Sequence, residues 1–354
     1  MLLKSFRYLF LPITWIYGAI IWFRNWLYNK NILKSASFNF PIICVGNLAT
    51  GGTGKTPMTE YLVRILKDQF KTATLSRGYK RKTKGFAIAD ANTTALMIGD
   101  EPMQFHQKFP DIAVAVGEER VVAIPQLLHQ RPETQVIILD DAYQHRQVRA
   151  GLNILLTDHA NLYTRDLVLP AGDLRDVRSS RKRADIIVVT KCRHDLTEAE
   201  KNDTIAEIKP TAKQSVFFTT IVYGMAYHLF TKEVIDISAD CGILLVCGIA
   251  NPRPLKEHLA KYADSYEMLR YADHHIFNSS DLKDIKQHFE KISSAKKVVL
   301  TTEKDAVRLE KFVNELKDFP IYVVPIEHAI LFNEAEKFND QVTSFVKNFS
   351  TSQI

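Results

Sequence analysis

Short apolar runs alternate with polar stretches of helical period through most of the chain, but the first residues follow a different pattern. Residues 8–23, YLFLPITWIYGAIIWF, contain only Thr14 as a plainly polar side chain and are apolar nearly all round. Sixteen helical residues reach roughly 24 Å, short of the ~30 Å hydrocarbon core of a bilayer, and aromatic crowding is typical of a membrane interface. The run therefore predicts an interfacial anchor helix. A buried helix of the adjoining domain is the competing reading, because a short apolar run does not by itself separate core from membrane.

Further along, buried strands are predicted at 40–46, 136–141, 184–191, 242–249, 266–271, 297–302 and 321–325, with a helix at 58–68 carrying Leu62, Ile65 and Leu66 on one side. Strands alternating with helices predict an α/β fold with a mostly parallel sheet. The length of 354 residues suits two domains and an N-terminal segment. We expect an anchor at 1–35, a core domain at 36–224 and a smaller α/β domain at 225–354, with the site between the two domains.

Charge sharpens the N-terminal contrast. The chain carries 46 Lys and Arg against 40 Asp and Glu, a net +6. All three tryptophans, Trp15, Trp22 and Trp26, precede residue 27, and no acid precedes Glu60. Lys4, Arg7, Arg24, Lys30 and Lys34 flank the apolar run, and such cations are attracted to anionic headgroups. A signal peptide would share this profile, but three tryptophans are unusual in one. The four cysteines, Cys44, Cys192, Cys241 and Cys247, form neither a CxxC metal pair nor a disulfide framework. No RRM, KH, helix-turn-helix or zinc-finger signature accompanies the positive charge, so no nucleic-acid partner is expected.

Chemistry enters at residues 47–56, NLATGGTGKT, which lie between a predicted strand and a predicted helix. Strand, glycine loop and helix form the setting of a phosphate-binding P-loop. Gly51, Gly52 and Gly54 allow backbone N–H groups to converge on phosphate, Lys55 would reach the β- and γ-phosphates, and Thr56 would ligate Mg²⁺. Ala49 occupies the first glycine position of the strict motif, as in TGGTGKT-type variants. Asp140 and Asp141 end the strand VIILDD, where open α/β sheets bind ligands, and Asp140 is the candidate Mg²⁺ carboxylate. Thr190-Lys191 lacks the Asn and the spacing of a guanine-reading motif, which makes ATP the expected nucleotide. Asp100 and Glu101 fall in a predicted Gly/Pro-bounded turn, and either would serve as a general base. Asp273-His274-His275 is read as a source of a histidine for such an acid. Arg77 to Lys82 and Arg175 to Arg183 are basic groupings, and the Pro-Ala-Gly before Arg175 can aim a guanidinium at phosphate.

Taken together, VGNLATGGTGKTP (45–57), SRGYKR (76–81), GDEP (99–102), LDDAYQHR (139–146), LPAGDLRD (169–176), GIANP (248–252), DHH (273–275) and TTEKDAVRL (301–309) resemble the tetraacyldisaccharide 4′-kinase, or lipid A 4′-kinase, family. The resemblance implies a P-loop kinase using ATP and Mg²⁺ at the cytoplasmic face of a bacterial inner membrane. Its substrate would be an acylated disaccharide 1-phosphate lipid, with no obligate protein partner. It further implies an ATP loop at Ala49, Thr50, Gly51, Gly52, Thr53, Gly54, Lys55 and Thr56. Asp100 would be the catalytic carboxylate paired with His274, Asp141 and Arg175 would act in catalysis, and Thr56, Asp140 and Glu101 would hold the metal. Ala142-Tyr143 and Asp176 depart from the common family pattern, and the role of Asp176 stays open, as does the choice between His274 and His275. A membrane-associated P-loop ATPase switch without a lipid substrate is the alternative function.

Overall fold

The computed structural model describes residues 7–237, 241–249, 251–260 and 266–349. Lys4 of the anchor's basic flank and Ala250 of GIANP lie outside them. The strands that build the two main sheets are β1 Ile42–Asn47, β2 Thr72–Ser76, β3 Ala87–Ile88, β4 Ala113–Val116, β5 Val136–Asp140, β6 Leu152–Asp158, β7 Ile186–Thr190, β8 Ser215–Tyr223, β9 Ala226–His228, β10 Val234–Ile235, β11 Cys241–Cys247, β12 Tyr266–Arg270, β13 Lys296–Thr302, β14 Ile321–Val324 and β15 Ile326–Ile330. Helices of seven residues or more are α1 Leu11–Asn29, α2 Lys55–Leu66, α3 Asp100–Lys108, α4 Arg120–Gln130, α5 Glu198–Ile208, α6 Arg253–Leu259, α7 Ser279–Lys291, α8 Glu303–Leu309 and α9 Ala335–Lys347.

The first sheet has nine strands in the order β15-β8-β7-β6-β1-β5-β2-β4-β3 and is parallel except at its two edges. β1 and β5 are fully buried, as strands covered on both faces must be, so they read as continuous apolar runs instead of alternating ones. Their neighbouring carboxyl ends bring the glycine loop beside Asp140, which is in register with Val45. The second sheet has six strands, β10-β9-β14-β13-β11-β12, with β14, β13, β11 and β12 parallel. Both sheets have an apolar cluster on each face.

Two expectations change. Residues 225–354 were expected to form one smaller domain, but the second sheet takes only residues 226–324 and the chain then returns to the first. β15 pairs antiparallel with β8, and Phe338 of α9 packs edge-on between Tyr61 and Phe217 at 5.7 and 5.1 Å. An apolar strand pattern does not state which sheet the strand joins. The returning strand makes one antiparallel ribbon across both sheets: β8 pairs with β15, β9 with β14, and Gly224 N–H donates to Pro325 O between them. Asp100 and Glu101, expected in a turn, instead open α3. Gly99, at φ +95°, ends the turn, and Pro102 falls in the first helical turn where its missing N–H leaves no bond unmade.

Among the described residues no helix is long and apolar enough to cross a membrane. α1 is amphipathic in an inverted sense. Thr14, Asn25 and Tyr28 face the protein, whereas Trp15 (72% exposed), Ile16, Ile20, Trp22 (56%) and Phe23 face outward. The inward stripe docks by polar contacts: Ala171 N–H donates to Thr14 Oγ1 (3.0 Å), Asn25 Nδ2 donates to Asp176 Oδ1 (2.8 Å), and the Arg146 guanidinium donates to Asn25 O (2.7 Å) while lying over the Tyr28 ring. The buried-helix reading of the sequence does not fit this arrangement, because the large apolar side chains are the ones left outside. Asp176, left open by the sequence, is buried and accepts from Asn25, Ser180 and Arg183, so it anchors α1.

Candidate active site

The glycine loop turns between β1 and α2 with Gly51 at φ +97° and Gly54 at φ +85°, conformations that side-chain-bearing residues rarely adopt. Three layers hold it. Asn47 Nδ2 donates to Thr53 Oγ1 (2.8 Å), Thr190 Oγ1 donates to Thr53 O (2.8 Å), and His328 Nε2 lies 3.0 Å from Gly54 O. A backbone carbonyl only accepts, so His328 carries its proton on Nε2. Burial keeps that ring neutral, with its pKa lowered to about 4. The LPAGDLRD segment closes the other side: Thr50 N–H donates to Asp173 O and Arg175 N–H to Leu48 O, both at 2.7 Å. Neither Thr190 nor His328 was assigned a role in the sequence. Thr190 carries the only signal, near the end of the strand predicted at 184–191.

Lys55 is largely buried, and desolvation lowers its pKa, opposed by the charge of Asp141 at 3.8 Å. Asp141 is held down by Lys55 and by Arg175, which outweigh the effect of its burial. Arg175, expected to aim at phosphate, is held by Asp141 and Asn47. Its guanidinium bonds both Asp141 oxygens and Asn47 Oδ1, with Nε buried and unpaired. Asp140 is buried beneath, accepts from Thr59 Oγ1 (3.2 Å), and is pushed up to about 7 by burial and then by Asp141. Tyr143 is buried, and its hydroxyl donates to Ser180 O (2.8 Å).

Basic groups unassigned by the sequence lie near these acids. Arg120 is fully buried at the start of α4 and donates to Gly117 O, while its Nε and NH2 have no partner. The neighbouring His145 is kept neutral, its pKa lowered to about 4 by burial and by Arg120 and Arg77. Arg120 follows a short strand in the sequence GEER, where a charge run reads as solvated surface.

The second cluster comes from α3, the DHH loop and α8. Asp100 Oδ2 receives His274 Nδ1 at 2.9 Å and Arg308 NH2 at 2.5 Å. Burial raises the Asp100 pKa, but these two partners outweigh it and leave the carboxyl at about 2. Lys304 Nζ stands 3.0 Å from His274 Nε2. Arg308 NH2 also lies 3.0 Å from His274 Nδ1, so an ammonium, a guanidinium and a carboxylate converge on this ring. His275 instead bonds Asp281 Oδ2 (2.9 Å), the capping-box residue of α7. Glu101 is 3.9 Å from Lys304, and its charge also acts on Lys55 and Asp140. That places the first turn of α3 beside the glycine loop. Lys304 and Arg308 belong to the TTEKDAVRL motif but had no assigned role.

A mostly parallel sheet with this loop after its central strand and a carboxylate ending the neighbouring strand defines a P-loop nucleotide-binding protein. The chain belongs to the tetraacyldisaccharide-1-P 4′-kinase family, whose model matches residues 6–347. It is 44% identical to the tetraacyldisaccharide 4′-kinase of Phocaeicola vulgatus over 99% of this chain and 97% of that protein. The enzyme of the same name from Flavobacterium johnsoniae is also 44% identical, over 96% and 97%. Its fold is similar to the crystal structure of LpxK from Aquifex aeolicus in complex with ATP, with a TM-score of 0.76 at 27% identity, covering 96% of this chain and 99% of that one.

Proposed function

We propose that this chain transfers the γ-phosphate of ATP to the 4′-hydroxyl of a tetraacyldisaccharide 1-phosphate, forming lipid IVA in lipid A synthesis. Within this family, the observation that carries the reading is a separate carboxylate, Asp100, whose neighbour Glu101 acts on both Lys55 of the glycine loop and Asp140 at the end of β5. Asp100 Oδ1 accepts the proton of the sugar hydroxyl as its oxygen bonds the γ-phosphorus and the bond to the ADP oxygen breaks. Phosphoryl transfer asks little base strength, so a carboxylate that stays ionised suits the step. Lys55 and the loop N–H groups carry the charge of the transferring phosphoryl. His274, with Nδ1 2.9 Å from Oδ2, orients Asp100.

The oxygen donors present suit Mg²⁺. Asp140 is buried against a second acid with one hydroxyl partner, a carboxyl that a divalent cation would keep ionised. Thr56, Asp140 and Glu101 are the residues that would hold it, where the ion supplies neutralisation of the phosphate oxygens. Among the described residues no group of three His, Cys, Asp or Glu forms a metal cage, and Mg²⁺ bound to nucleotide needs none because water and phosphate complete its shell.

Transfer of labelled γ-phosphate from ATP to a tetraacyl disaccharide 1-phosphate in mixed micelles tests the reading. Labelled lipid is expected; intact ATP hydrolysis without it would favour the nucleotide-switch alternative.

The outward face of α1 is the surface that meets the cytoplasmic leaflet of the inner membrane, so that the acylated substrate need not leave it. Substituting Trp15→Ser and Trp22→Ser together is expected to reduce binding to anionic vesicles more than roughly tenfold with little change in thermal stability, since both rings are largely exposed. Undiminished co-sedimentation would rule this face out.

A further inference from the structure

Both hydrogen bonds to Asp100 arrive at the same oxygen. His274 Nδ1 and Arg308 NH2 meet at Oδ2, and Oδ1 accepts no hydrogen bond from the described residues. A short carboxylate on the first turn of a helix is otherwise free to rotate about two torsions. Its orientation is thus imposed from α8 and the DHH loop, not from α3.

Arg308 is itself fixed. Its side chain is 6% exposed, and its NH1 lies 3.3 Å from Asp305 Oδ1. Asp305 is wholly buried and held by Gly248 N–H (2.9 Å) and Thr302 Oγ1 (2.7 Å), the second of these at the N-cap of the same helix. At the far end of the helix pair, Lys108 Nζ bonds Glu303 Oε1 (2.5 Å). α8 therefore grips α3 at both ends, through Arg308 at Asp100 and Glu303 at Lys108.

We propose that Arg308 is a positioning residue for the reaction: it holds Asp100 Oδ2 so that Oδ1 faces the acceptor hydroxyl, and Asp305 holds Arg308 in turn. The proposal rests on the reading of Asp100 as the base. Arginine suits the task because its planar fork can bond two carboxylates at once, one as anchor and one as target. A lysine would keep the charge but supply no second, fixed N–H.

Steady-state kinetics of Arg308→Ala, Arg308→Lys, Asp100→Asn and the double variant Asp100→Asn/Arg308→Ala test it, each with and without millimolar guanidinium. Arg308→Ala is expected to lower kcat about 100-fold, the scale of a small misplacement of a reacting group, with little change in KM for ATP. Guanidinium should restore a large part of that loss, Arg308→Lys should fall between wild type and Arg308→Ala, and the double variant should be no slower than Asp100→Asn. Wild-type kcat in Arg308→Ala, with Asp100→Asn impaired, would overturn the positioning role and leave the base intact. A loss in Arg308→Ala that neither guanidinium nor lysine relieves would make Arg308 a scaffold residue only. Wild-type kcat in Asp100→Asn would remove the base reading itself.

Discussion

Replacing Asp100 by Asn is expected to lower kcat by roughly 10²- to 10⁴-fold, the range of a positioned general base, with ATP affinity unchanged. The amide keeps the shape of the side chain and can still accept one bond from His274 or Arg308, so the helix and the glycine loop remain in place. It cannot take up the hydroxyl proton. Isothermal titration with ATP, set against turnover on the lipid acceptor, separates the two effects. A fall in ATP affinity equal to the fall in kcat would mean that Asp100 supports the nucleotide site instead of the transfer step.

The second large effect concerns stability. Glu60 of the glycine-loop helix is fully buried, accepts from Gln104 Nε2 (2.7 Å) and pairs with Lys108 Nζ (2.7 Å), which also bonds Glu303. Lys108→Met leaves two buried carboxyl groups without their shared cation, and loss of one partner from a buried pair costs about 3–5 kcal/mol. Denaturant melts should show this as a lower midpoint.

The pH dependence follows from Glu60. Burial, then the neighbouring Glu303, pushes its pKa from 4.5 to about 7, despite the opposing effect of Lys108. Between about 4.5 and 7 the folded protein retains a proton that the unfolded chain has released, so this group makes stability fall as pH rises through that window. In Lys108→Met the opposing ammonium is gone, and the deficit relative to wild type should be larger at pH 8 than at pH 5.5. Glu60→Gln should flatten the contribution. A deficit independent of pH would show that Lys108 acts through packing alone.

Much of the nucleotide side of the site was legible, because its signal is local. Gly51 to Thr56 fall between a strand and a helix, and Asp140 ends a strand, so spacing alone points to phosphate and metal. That the DHH loop supplies a histidine to an acid was read from the residues, but the pairing of His274 with Asp100 in particular came only with the family resemblance, since 174 residues separate the two side chains. Arg308, Lys304 and His328 were invisible as site residues for the same reason. Each acts across the two sheets or from the returning strand, and residues 326–330 carry nothing to say that they rejoin the first sheet. The Asp141 and Asn47 partners of Arg175 could not be read, because a motif gives a side chain's place but not its partner. For α1 the pattern was read as apolar all round, whereas the three inward positions that matter, Thr14, Asn25 and Tyr28, recur at helical spacing and could have been read as a docking stripe.

Residues 166–176 touch both ends of the problem. Their backbone accepts the Arg7 guanidinium at Pro170 O and donates to Thr14 at Ala171, and it also braces the glycine loop through Asp173 O and Arg175 N–H. Were the aromatic face of α1 seated in a leaflet as proposed, this segment would be a strut that sets the height of ATP above the lipid surface. The enzyme would then gauge its acceptors by depth as well as by shape, favouring a hydroxyl that rides at one fixed level over the acyl chains.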